Sequence, residues 1–230
     1  MEELVNDLVE ELNCETVFTI PIGNGLPVGE SVVVTWIIMA VLVIPSILFV
    51  RNLRVENPGK LQLALETGIG FFYDFFYEIL GEKGKRYIPY LIMVILYIGF
   101  ANIIGIFGFK PPTKDLNVTV ALSVMSIFLI EYAHIQAKGF KQRMKDFAEP
   151  IAIVAPINVM ELVIRPLSLC MRLFGNVLGS FVVMELIKLV VPLIIPMVLS
   201  LYFDIFDGFI QAYVFVFLTS LFIEEGIEEE

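Results

Sequence analysis

The stretch 166-PLSLCMRLFGNVLGSFVVMEL-186 decides how this chain is read. It is an apolar run long enough to lie inside a lipid bilayer, and it carries an arginine, Arg172. A guanidinium stays protonated at any biological pH, and one at mid-membrane costs about 3 kcal/mol on insertion scales. The accepted reasons for keeping one there are a buried carboxylate partner, a voltage-sensing task or a place on an ion path. The positions three and four residues away on either side hold Ser168, Leu169, Gly175 and Asn176. None is acidic, so the counter-charge of Arg172 must come from another helix.

Composition agrees with that setting. Of 230 residues, 58% are hydrophobic and 17% charged, with a mean hydropathy of +0.85. Such values predict a multi-span membrane protein and not a soluble domain. The apolar runs have helical length, and the alternating pattern of barrel strands does not occur. The backbone is therefore expected to satisfy itself in helices. The net charge of −10 is concentrated in acidic terminal tails, which speaks against nucleic acid as a partner. Cys14 and Cys170 lack zinc spacing and read as free thiols. No metal site or bound cofactor is expected. The N-terminus has no basic region and its first apolar run begins near residue 31, so a cleaved secretory signal is not expected.

Five spans are predicted, at about residues 31–50, 87–107, 116–135, 157–190 and 197–223. The last two are long and are expected to form an antiparallel hairpin through a Pro192/Pro196 turn. Between the first two, 61-LQLALETGIGFFYDFFYEILG-81 places Leu65, Ile69, Phe72, Phe76 and Ile79 at helical spacing, with Glu66, Asp74 and Glu78 on another face. This segment, about residues 61–82, reads as an amphipathic interfacial helix. The fold class is thus an all-α membrane protein. It is one domain over residues 31–223, flanked by an acidic segment 1–30 and an acidic tail 224–230. Ten of the 15 basic residues flank the loops at 51–60, 83–86 and 138–145. By the positive-inside rule those loops are cytoplasmic, the N-terminus is outside and the C-terminus inside.

Polar residues recur within the apolar helices. Asn158, Glu161, Arg165, Ser168, Arg172 and Asn176 follow one another at steps of three and four, which keeps them on one helical stripe. Gly175, Gly179 and Ser180 thin the helix for close approach by another. In the last span Asp204, Asp207 and Gln211 occupy i, i+3 and i+7, again one face. Asn158, Ser168 and Asn176 also fit plain helix–helix glue, and Arg165 also fits a boundary cation that snorkels to the cytoplasm. Glu185 and Lys188 are spaced for an internal salt bridge. His134, three residues after Glu131, reads as an interfacial residue and not a ligand. No phosphate-binding loop, HExxH motif or G-x-S-x-G elbow is present, and the Asn117-Val118-Thr119 sequon is too common to signify.

The run 165-RPLSLCMRLFGN-176 resembles the signature of subunit a of F-type ATP synthases, the static membrane partner of a rotating c-ring. The segments 115-DLNVT-119 and 211-QAYVFVFLT-219 agree with it, as does the order of spans. The resemblance implies that Arg172 is the stator arginine, with Asn176 and Gln211 as polar neighbours facing the ring and Asp115 on the external access route. It also implies c-subunit ring, peripheral-stalk b subunit and other ATP synthase partners, membrane lipid around the chain, a bacterial plasma-membrane setting, and H+ or Na+ as the translocated ion. Two positions depart from the family pattern. Phe181 stands where many bacterial members have a glutamate, with Glu185 one turn further on as the candidate to take over, and Asp204 stands where some have histidine. Glu185, Asp204 and Asp115 are accordingly expected to line an external half-channel, and Glu161 and Arg165 a cytoplasmic exit. The alternatives are a freestanding channel or secondary transporter gated by Arg172 with Glu185 or Asp204, and a purely structural membrane subunit.

Overall fold

The computed structural model describes residues 16–21, 26–51, 53, 59–107, 109–146, 155–190 and 194–228. A hairpin of β1 (Thr16–Ile20) and β2 (Leu26–Gly29) leads directly into α1 (Glu30–Val50). After it come α2 (Lys60–Gly84), a 3₁₀ turn Lys85–Tyr87, α3 (Ile88–Ile103) and a second 3₁₀ turn Ile104–Phe107. A further 3₁₀ turn, Pro112–Lys114, precedes α4 (Leu116–Lys138) and the short α5 (Phe140–Asp146). The chain continues as α6 (Ala155–Val190), α7 (Ile194–Leu201), a π-helical segment Tyr202–Asp207 and α8 (Gly208–Glu228).

Among the described residues, five helical stretches are long and apolar enough to cross a membrane, the number expected from the hydropathy runs. At 1.5 Å per residue, the 21 residues of α1 extend about 30 Å, the thickness of a hydrocarbon core. Glycine acts at two joints. Gly81 bends α2 with φ 61°, and Gly139, φ 83°, ends α4 by donating its N–H to the Ile135 carbonyl at 2.8 Å. Both angles lie in the left-handed region that suits glycine.

Three features differ from the sequence reading. The acidic N-terminal segment contains the antiparallel β1–β2 pair, with Phe18 opposite Val28 and Ile20 opposite Leu26. Its signal was the β-branched run 16-TVFTI-20 followed by Gly23-Asn24-Gly25. The expected last span is not one uninterrupted α-helix, because the π-helical segment Tyr202–Asp207 divides it. Pro196 sits in the first turn of α7, where a missing N–H removes no helical bond, and is not part of a turn. Pro192 lies outside the described residues, as do Cys14 and the last two residues of the acidic tail.

The chain divides into two compact units. Unit 1 comprises Met1–Leu42, Tyr97–Thr119 and Cys170–Gln211. Its apolar core gathers Val34, Ile38 and Ala101, with Leu42, Tyr97 and Ile104 packed on them. Polar links join α1 to the residues around it: Thr35 Oγ1 and Tyr97 Oη lie 3.1 Å apart, and Lys110 Nζ is 3.4 Å from Glu30 Oε2. Phe18 of β1 lies against Trp36, with ring centroids 6.4 Å apart.

Unit 2 comprises Val43–Leu96, Val120–Leu169 and Ala212–Glu230. Its buried residues include Phe76, Ile88, Leu91, Ile130, Leu169, Phe215 and Ile223. Phe75 of α2 packs against Tyr213 and Phe217 of α8, at 5.7 and 6.4 Å between ring centroids. The apolar face expected of α2 divides along its length, for Phe76 is fully buried while Leu65 and Ile69 remain exposed.

Candidate functional site

Arg172 is an exposed residue of α6 in unit 1. It forms no ion pair with any described residue. Beside it Met171 is 51% exposed, and a Cβ added to Gly175 or Gly179 would meet nothing within 4 Å. The thin face expected from these glycines therefore exists and is uncovered by the described residues. A permanent cation favours the ionised form of any carboxylate brought beside it.

One helical turn beyond Arg172, Asn176 donates a short hydrogen bond from Nδ2 to the Asp207 carboxylate. Asp207 is the last residue of the π-helical segment, and Gln211 follows one turn later in α8, 6% exposed. The Nε2 of Gln211 has no hydrogen-bond partner among the described residues. The structure thus unites Asn176 with Asp207 and leaves the Gln211 amide with unused donors. A π turn closes its bonds one residue further along than an α turn. The expected alignment of Asp204, Asp207 and Gln211 on one face took 3.6 residues per turn throughout, and the side chain of Asp204 lies outside the described residues.

Sequence reasoning passed over the support of this segment. Asn102 of α3, 6% exposed, donates from Nδ2 to the Gly208 carbonyl at 3.1 Å, while Thr113 Oγ1 donates to Asn102 Oδ1 at 3.0 Å. An asparagine within the apolar run 96-LYIGFANIIGIFG-108 was the available signal.

Asp115 caps α4. Its Oδ1 accepts the Asn117 backbone N–H at 2.9 Å and the Asn117 side-chain amide at 3.1 Å, the pattern of an N-cap aspartate. Its Oδ2 accepts from Ser31 Oγ at 2.6 Å. Phe181 lies beneath the Lys114 ammonium, with the ring centroid 3.9 Å from Nζ, in cation–π contact. Cys170 is a free, buried thiol, with its sulfur 3.5 Å from Thr119 Oγ1. The side chains of Glu185, Lys188 and Asp204 lie outside the described residues.

Unit 2 carries the remaining expected residues. Arg165 Nη2 contacts Glu161 Oε2 at 3.2 Å and Glu225 Oε1 at 3.1 Å, and its guanidinium lies 4.7 Å from the Phe222 ring centroid. Glu225, read from the sequence only as part of an acidic tail, is thus a partner of the polar stripe. His134, near the end of α4, is buried within the unit, 2% exposed, and its Nε2 donates to the Phe222 carbonyl at 2.9 Å. Glu131 is engaged by Arg143, through contacts of 3.1 and 2.8 Å, and lies 4.0 Å from His134 Nδ1. Among the described residues no three His, Cys, Asp or Glu side chains are grouped to hold a metal ion.

Residues 32–224 match the family described as ATP synthase A chain. The chain is 36% identical over 199 residues to ATP synthase subunit a of Moorella thermoacetica, covering 86% of this chain and 90% of that one. It is 31% identical over 212 residues to ATP synthase subunit a of Legionella pneumophila, covering 92% and 91%. To the sodium ion specific ATP synthase subunit a of Propionigenium modestum it is 32% identical over 219 residues, covering 88% and 75%.

Proposed function

This chain belongs to the ATP synthase A chain family, and we propose that it holds Arg172 against the ion-carrying carboxylates of a c-subunit ring while two half-channels lead ions to and from that contact. The observation that carries the proposal is the exposure of Arg172 on the uncovered face of α6, without an acidic partner among the described residues. Facing lipid alone, such a cation is expensive. Facing a ring of carboxylates, it meets a succession of counter-charges.

The chemistry follows from the fixed charge. A ring carboxylate approaching Arg172 is pushed to its ionised form and gives up its ion. Because the guanidinium stays protonated, it also bars direct passage between the half-channels, so ions cross by riding the ring. Each elementary charge crossing the membrane supplies ~2.3 kcal/mol per 100 mV, and successive steps accumulate toward ATP synthesis on other subunits. Asn176, Asp207 and Gln211 form the polar surroundings of the contact. Glu185, Asp204 and Asp115 line the external half-channel, and Glu161 with Arg165 the cytoplasmic exit. Asp115 would serve there through the carboxylate that also caps α4.

The chain sits in a bacterial plasma membrane with its N-terminus outside, α2 along the cytoplasmic interface, and peripheral-stalk b subunits beside it. Basic residues at 51–60, 83–86 and 138–145 support that orientation. It carries no cofactor, and the translocated ion is H+ or Na+.

The test is Arg172→Gln in the assembled complex. ATP synthesis by inverted vesicles under an imposed ion gradient is expected to fall to background with assembly unchanged. Synthesis near the parent rate would reject the stator role.

A further inference from the structure

Unit 2 contains a cleft that the proposed ion path does not use. Its volume is about 590 Å³, within the ~300–1,000 Å³ usual for small-molecule sites. Lys83, Lys85 and Arg86 line one side, at the junction of α2 and α3, and Gln136 and Lys138 line the other, at the end of α4. Four cations thus converge on one cavity. Its single acid, Glu82, is already engaged by the Tyr77 hydroxyl at 2.6 Å and by the Lys85 ammonium at 3.6 Å. At the cleft wall Tyr87 donates its hydroxyl hydrogen to Gln136 Oε1 at 3.0 Å. That bond orients the carboxamide so that its Nε2 hydrogens serve as donors.

We propose that this cleft binds the phosphate of an anionic membrane-lipid headgroup. Cations and amide donors converging on one point suit a phosphate, whose oxygens accept several charge-assisted hydrogen bonds at once. The position favours a lipid over a free anion. Lys85–Tyr87 lead directly into α3 and Lys138 ends α4, so the cations stand where spanning helices leave the hydrocarbon. A basic pocket at that depth lies level with lipid phosphates. Ile227 of α8 adds an apolar wall suited to the start of an acyl chain.

The test uses the full-length chain in uncharged detergent, titrated with phosphatidylglycerol, phosphatidylcholine or inorganic phosphate and read by native mass spectrometry. Phosphatidylglycerol should be retained in preference to phosphatidylcholine by about tenfold, a difference near 1.4 kcal/mol. Lys85→Ala with Arg86→Ala should remove that preference. Lys138→Gln, on the opposite wall, should weaken it independently. Lys141→Ala with Lys145→Ala makes the same charge change outside the cleft and should leave the preference intact. Equal losses in the two double variants, or no preference in the parent, would overturn the proposal. Displacement of the lipid by inorganic phosphate at equal concentration would overturn it too, marking a free-anion site.

Discussion

The side chain of Asn102 donates a hydrogen bond to the backbone carbonyl of Gly208, 106 residues later in the chain, at 3.1 Å. Gly208 is the first residue after the π-helical segment that carries Asp207. The approach depends on both residue types: a Cβ on Gly208 would lie 2.7 Å from Asn102 Cβ, and only a side-chain donor exploits so close a backbone. The contact therefore anchors the end of the π segment from which Asp207 meets Asn176.

Gly208→Ala is accordingly expected to force α3 and this segment apart, at a cost of about 1–3 kcal/mol as in other overpacked interiors. Asn102→Leu should cost about as much by a different route, since the buried Thr113 hydroxyl loses its acceptor. Thermal unfolding of the assembled complex measures both. An unchanged midpoint in Gly208→Ala would show that the close approach is absent.

Gly226 and His134 form a second such pair, in unit 2. A methyl group on Gly226 would overlap the His134 ring, which is 2% exposed. Gly226→Ala should destabilise the protein by about 1–3 kcal/mol. His134→Ala in the same chain should recover part of that loss, because the obstructing ring is gone. A double-mutant cycle with no coupling between the two sites would contradict the packing.

Arg165 shares its charge between Glu161 and Glu225, whose side chains are 52% and 46% exposed. Pairs that open are worth about 0–1 kcal/mol, so Glu161→Gln or Glu225→Gln should hardly change stability. If the cluster lines the cytoplasmic exit, both should still slow ATP-driven ion pumping. Normal pumping in both variants would reduce the cluster to a surface ion pair.

Orientation is read by accessibility. In a Cys14→Ser background, Thr16→Cys on the exposed β1 strand should react with an impermeant thiol reagent in intact cells. Lys141→Cys should react only in inverted or opened vesicles. The opposite pattern would reverse the topology.

The proposed external half-channel rests on Glu185 and Asp204. Glu185→Gln and Asp204→Asn should each slow ion-driven ATP synthesis more than Glu228→Gln at the end of α8. Three equal and negligible effects would remove these carboxylates from the path.

Length and apolarity determined the spans. A membrane helix needs about 20 apolar residues whatever its neighbours, so the five spanning stretches and the anomaly of Arg172 are legible along the chain. The arginine's lack of an acid at i±3 or i±4 is equally local, and the sequence alone sends its counter-charge elsewhere. Nothing in the periodicity of 165-RPLSLCMRLFGN-176 shows that Arg165 reaches Glu225, 60 residues on, or that Arg172 stays exposed. Nor does any local signal bring Asn102 to Gly208, bury His134 against Gly226, or widen Tyr202–Asp207 into a π turn. Those outcomes depend on which helices become neighbours, and in lipid that choice rests on close packing and a few polar contacts between distant segments, settled only when the helices assemble.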